Sequence, residues 1–257
     1  PERHFAFQRY SRGAEQRELA RAGVRATPFE ARLDDWVLRS TGDDWLPLEV
    51  RARQDDYAFR FDLRSDRPLV LQGDAGFSQK HPAGGGSHYY SQPFLTVNGT
   101  LELAGEEMPV TGKAWLDREW SSQFLQGGQQ GWDWFSLHLE NGEKLMLFQL
   151  REVSGGQPAE TFRYGVLILP DGGTVELSPE HIHLAVVSTT RLEGRQIPTA
   201  WRVELAEPGR VLNVRALHPD QWMDVDFPYW EGAITASGEG PENSGVGYME
   251  LTGYPAD

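Results

Sequence analysis

What most constrains this chain is a recurring unit: a short run with period-two alternation, closed by a glycine turn. Tyr57, Phe59, Phe61 and Leu63 share one face of an extended segment while Arg60 and Asp62 share the other, the pattern of a half-buried strand. Asn141-Gly142 separates runs 134–139 and 144–150, and Asp171-Gly172 separates 162–169 and 174–177. Both dipeptides tolerate the positive φ angles that tight hairpins demand. Asn98-Gly99, between 94–97 and 100–103, is a hairpin or bulge signal of the same kind. Further strands are predicted at 4–9, 33–38, 182–187, 201–205, 211–217, 230–236 and 248–252. The one helix-like run lies between Gly13 and Gly23. Turns spaced by roughly eight to twelve residues predict an all-β chain folded as antiparallel barrels or sandwiches.

A length of 257 residues allows one large domain or two smaller ones. The polar, glycine-rich stretch 123–131 has no periodicity and reads as a linker. It divides the chain into an N-terminal domain, 1–125, and a C-terminal domain, 126–257. The net charge of -14, with no basic run, argues against nucleic acid as a partner and disfavours an anionic membrane surface. Without cysteine there are no disulfides, thiolate metal sites or cysteine nucleophiles. No apolar run reaches the roughly 18 residues of a membrane helix. The chain opens on Pro1 rather than methionine, which leaves room for a removed leader.

The sequence holds no dinucleotide fingerprint, phosphate loop, Gly-x-Ser-x-Gly elbow or His-Glu-x-x-His, and no cofactor is expected. His181-x-His183 puts two imidazoles on one strand face, but with no third ligand evident the pair reads as surface or core rather than metal site. His138, on a strand, reads as packed or solvated.

Aromatic rings and carboxylates mix most densely at 111–135, where Trp115, Trp120, Trp132 and Trp134 each lie within two residues of an acid. Alternation alone could send the rings into a core and the acids to water. A shared pocket would instead let apolar walls raise a carboxyl group's pKa. Spacing extends the second reading. His88 and Tyr90 lie on one strand face, as do Trp115 and Asp117. If those faces met across a barrel interior, they would line one cavity.

Leu71-Gln72-Gly73-Asp74, Tyr89-Tyr90-Ser91, the run from Val110 to Trp120, Gly131-Trp132-Asp133-Trp134-Phe135, Tyr229-Trp230-Glu231-Gly232 and the tail from Gly247 to Tyr254 resemble the AttH-like branch of the carotenoid 1,2-hydratase (hydroxyneurosporene synthase) superfamily. The resemblance implies two lipocalin-like barrels packed together. Relatives carry an upstream Glu-Trp-Trp-Tyr segment and the first strands of barrel one, and this sequence opens after them, so the resemblance implies that either the sequence or its first barrel is incomplete. The family's His-x-Trp and Tyr-x-Asp pairs correspond to His88-x-Tyr90 and Trp115-x-Asp117, with the aromatic types exchanged. AttH-like members are often exported and loosely called hydrolases, and other members of the superfamily are pericyclic cyclases.

These readings converge on an enzyme that hydrates or isomerises a carbon–carbon double bond of a lipophilic small molecule. Asp117 would protonate the alkene, Trp115 and Tyr90 would stabilise the cation, and His88 would position or deprotonate water. The alternatives are a lipocalin-like carrier, a hydrolase and a pericyclic cyclase on the same fold. Trp120, Trp132 and Trp134 are assigned to packing, and Arg118 and Glu119 to an ion pair outside the pocket.

Overall fold

The computed structural model describes residues 4–13, 21–122, 125, 128–154, 157–158 and 161–256. Their regular structure is strand, apart from two 3-10 turns at Pro179–His181 and Pro241–Asn243. No helix among them is long and apolar enough to cross a membrane. The helix-like run after Gly13 falls mostly on residues outside this set, as does part of the linker stretch 123–131. Two compact units divide the chain. The smaller comprises Phe7–Pro68 and Gln92–Leu116, and the larger Pro1–Ala6, Leu69–Ser91 and Asp117–Asp257.

The first strands are β1 (Ala22–Arg25), β2 (Glu30–Leu33), β3 (Trp36–Ser40), β4 (Leu48–Gln54) and β5 (Tyr57–Arg64), followed by the short β6 (Val70–Leu71) and β7 (Phe77–Gln79) and the long β8 (Gly86–Leu103) and β9 (Glu106–Trp120). In the smaller unit β1 to β5 form an antiparallel meander, continued by β8 and β9 into a half-barrel. Leu48, Leu63, Leu95 and Val97 make its core, with Phe61, Ala114 and Leu116 against them. Three local expectations are corrected. Residues 4–9 form no strand. The run 33–38 is broken into a hairpin by Asp34, whose φ of 54° no strand residue adopts. Asn98-Gly99 makes no turn, because β8 passes straight through it. Glycine is required there by proximity: a Cβ on Gly99 would lie 2.0 Å from the Arg60 carbonyl oxygen. The turn falls six residues later, at Ala104 and Gly105, both with positive φ.

The larger unit continues with β10 (Gln129–Leu139), β11 (Lys144–Ser154), β12 (Gln157–Pro158), β13 (Phe162–Ile168), β14 (Thr174–Leu177), β15 (Ile182–Leu192), β16 (Arg195–Leu205), β17 (Arg210–Ala216), β18 (Trp222–Met223), β19 (Tyr229–Ser237) and β20 (Gly245–Leu251). These eleven strands form one antiparallel sheet whose main path runs β14-β13-β11-β10-β20-β19-β17-β16-β15. Its interior is a filled core. Phe135, Leu137, Leu147, Trp201, Trp230 and Met249 are at most 2% exposed or close to it, and Phe135 meets the Trp201 ring edge-on at 5.4 Å. Each such side chain contributes about 1.5–3 kcal/mol of burial.

Alternation gives β10, β11 and β20 two different faces. Phe135, Leu147 and Leu251 point into the core. Trp132, Trp134, Phe148, Leu150 and Glu250 lie on the other side, in a register that sets Trp132 opposite Leu150 and Trp134 opposite both Phe148 and Glu250. Asp133 is a buried acid on the core face. It is fully buried, and accepts hydrogen bonds from Gln149 Nε2 and Tyr254 Oη, each at 2.7 Å, with Arg151 Nε 3.1 Å away. Burial pushes its carboxyl pKa up, and Arg151 opposes that shift.

Candidate active site

On that other face the larger unit encloses a cavity of about 460 Å³. Trp132, Trp134, Phe148, Leu150 and Glu250 form one side, and Lys80, Ser87, Tyr89, Asp117, Glu119, Trp120 and Ser121 the rest. The larger unit's core fills its own interior, and this cavity forms on the face that the core leaves uncovered.

The β8 strand supplies one wall by alternation. Ser87, Tyr89 and Ser91 are buried and His88 is exposed. One hydroxyl from this wall binds Asp117. Ser91 Oγ receives a hydrogen bond from the buried Gln72 Nε2 at 2.9 Å and donates its own to Asp117 Oδ1. The Gln72 N–H occupies the hydroxyl's oxygen and leaves its proton for the carboxylate. Trp134 Nε1 donates to Tyr89 Oη at 3.1 Å, in the same wall. Burial, followed by the charges of Asp117 and Glu119, pushes the Tyr89 phenol pKa well up, so it stays a donor.

Glu119 is committed elsewhere. Its Oε1 lies 2.8 Å from Lys80 Nζ and accepts a hydrogen bond from Ser87 Oγ. The Lys80 ammonium stands 4.0 Å from the Phe148 ring centroid and 5.1 Å from that of Tyr89. Burial lowers its pKa, while Glu119 and then Asp117 hold the charge in place. The third carboxyl group, Glu250, takes a 2.5 Å hydrogen bond from Trp132 Nε1.

Of the four side chains singled out by sequence, Asp117 lines this cavity. His88 and Tyr90 stand on the opposite face of β8, where they flank Trp120. The His88 ring stacks on it at 5.5 Å, and the Tyr90 ring meets it edge-on at 6.1 Å. Trp115 belongs to the smaller unit, with its neighbours Ala114 and Leu116 packed into that unit's core. Conversely, Trp120, Trp132 and Trp134 are wall residues here rather than packing alone. Lys80, Tyr89 and Glu250 were not singled out by sequence reasoning. The spacing Ser87-x-Tyr89-x-Ser91 was the available signal for the inward face. His181 and His183 do not share a strand face, since His181 ends a 3-10 turn and His183 is exposed on β15. Among the described residues no group of three or more His, Cys, Asp or Glu side chains could hold a metal ion.

Taken together, these observations define the protein as a lipocalin-like all-β fold with a carboxyl-bearing aromatic cavity. A family model described as AttH-like matches residues 1–254, and the chain belongs to that family. Among solved structures, a protein of Nitrosomonas europaea described as an AttH is 37% identical, with a TM-score of 0.78 over 88% of this chain and 70% of that one. Kievitone hydratase from Nectria haematococca shares the fold at 18% identity, with a TM-score of 0.69 over the same shares of the two chains. Comparison with curated protein sequences found no match.

Proposed function

We propose that this protein is a hydratase-type enzyme that adds water across a carbon–carbon double bond of a lipophilic small molecule, isoprenoid- or polyketide-like, within the cavity of the larger unit. One observation carries the reading: Asp117 lines an aromatic cavity and is oriented there by the Ser91 hydroxyl that donates to it. Hydration needs a proton delivered to one alkene carbon, a cation tolerated at the other, and a proton removed from the incoming water. Asp117, oriented by the Ser91 hydroxyl, fits the last role, so the water's oxygen bonds to carbon as its proton passes to this carboxylate. That differs from the alkene-protonating role which sequence alone assigned to Asp117. Indole faces of Trp120, Trp132 and Trp134 suit the transient cation, taking over the part first given to Trp115 and Tyr90. The kievitone hydratase likeness supports the reaction class, since a protein so named has this fold.

The reading is tested by incubating the protein with geraniol, farnesol and geranylgeraniol in heavy-oxygen water and following label into the alcohols formed. Wild type is expected to incorporate label and Asp117→Asn to lose at least a hundredfold in rate. Retention of an alkene with no label in either protein would make the protein a carrier.

A further inference from the structure

We propose that Glu250 is the proton donor of this reaction, giving its carboxylic proton to the alkene carbon while Asp117 takes the proton of the adding water. The assignment rests on the hydration reading above and names the missing half of its chemistry.

Three carboxyl groups line the cavity: Asp117, Glu119 and Glu250. Glu119 is matched by Lys80 and Ser87, and Asp117 by the hydroxyl of Ser91. Glu250 is left, and its surroundings favour the acid form. Its partner is an uncharged indole N–H, which fixes Oε1 as an acceptor. In the protonated group the hydrogen therefore resides on Oε2. Carboxylates face it from two elements, Asp117 and Glu119 of β9 and Glu231 of β19, the last directly opposite in the strand register. The phenols nearby, Tyr229 and Tyr248, are held neutral by burial and by Glu231. Burial, reinforced by the three carboxylates and opposed by the Trp132 hydrogen bond, brings the Glu250 carboxyl up to about 7. A group so poised is half protonated near neutral pH and suits general acid catalysis.

The step balances. The O–H bond at Glu250 breaks as a C–H bond forms, and the alkene's π electrons leave a cation on the neighbouring carbon. Water closes onto that carbon, its proton goes to Asp117, and solvent exchange returns one proton to Glu250 and removes one from Asp117. Turnover is redox-neutral.

The test runs wild type, Glu250→Gln, Glu250→Asp and Trp132→Phe on geraniol, farnesol and geranylgeraniol, in heavy-oxygen water and in deuterium oxide, with thermal melting to confirm folding. In wild type, each labelled oxygen should be matched by one deuterium on the adjacent carbon, and kcat should fall as pH rises through about 7. A loss of at least a hundredfold in Glu250→Gln, with recovery of at least tenfold in Glu250→Asp, supports the donor role. A substrate-free readout accompanies it: the fluorescence difference between wild type and Trp132→Phe should titrate near pH 7, and the transition should vanish in Glu250→Gln. Activity of Glu250→Gln within tenfold of wild type, or a flat titration, overturns the donor role and leaves the hydration reading standing. No label with wild type overturns the hydration reading, and the donor role with it.

Discussion

Lys80 Nζ lies 2.8 Å from Glu119 Oε1 while its ammonium stands over the Phe148 ring, so the cation is held between a carboxylate and an apolar wall. Removing the carboxylate leaves the charge with less compensation. Glu119→Gln is expected to cost on the order of 1–2 kcal/mol at pH 7, less than the ~3–5 of a fully buried pair, because Glu119 is 40% exposed and screened by solvent. The sign with pH follows from Lys80, whose pKa burial already lowers. Without Glu119 it falls further, and the penalty fades as pH rises and the amine goes neutral. Urea unfolding at pH 7 and pH 10 checks this; a deficit that grows with pH contradicts it.

Asp117 and Ser91 should separate chemistry from positioning. Asp117→Asn is expected to lower kcat by roughly 10²–10⁴. Ser91→Ala removes the hydroxyl that donates to the same carboxylate, and a loss of about tenfold is expected with KM little changed. Steady-state kinetics on an alkene that wild type hydrates gives both numbers. Equal losses in the two variants would show that Ser91 does more than orient Asp117.

Glu250 makes a prediction about stability that needs no substrate. Its folded pKa is raised from 4.5 to about 7, so the folded state binds the proton more tightly than the unfolded chain. The stability this contributes is complete below about pH 4.5 and is lost as pH rises through about 7. Relative to Glu250→Gln, wild type is expected to lose roughly 2–3 kcal/mol between pH 5 and pH 8. Thermal melting of the two proteins across that range measures it, and parallel curves would mean that the carboxyl titrates as if exposed.

The glycines of the smaller unit offer a control on the fold. A Cβ at Gly99 would press on the Arg60 carbonyl at 2.0 Å, whereas one at Gly112 would meet nothing within 4 Å. Gly99→Ala is expected to destabilise by more than about 3 kcal/mol and Gly112→Ala to stay within about 0.5 kcal/mol. Chemical denaturation compares them directly.

The fold was legible because alternation and turn chemistry are local properties. Asn141-Gly142 and Asp171-Gly172 do join the strands they separate. Asn98-Gly99 misled for a physical reason: the same dipeptide serves a hairpin turn or a close approach of two backbones, and only the position of β5 distinguishes them. The site was half legible. Asp117 stood out by its aromatic company, but at 88–91 both faces of the strand carry an aromatic ring, so period two cannot say which of Tyr89 and Tyr90 turns inward. Glu250 lies more than a hundred residues from Asp117, and nothing local marks it. Its place in the cavity arises from the register that sets it beside Trp134 and from the indole of Trp132.

Because Trp132, Trp134, Phe148, Leu150 and Glu250 share strands with core residues yet face away from them, the two duties are written on alternate letters of the same three segments. If the proposed ligand binds in this cavity, ligand preference can be rewritten at the even positions while the odd ones keep the protein folded, and a library randomised at those five positions is the economical test.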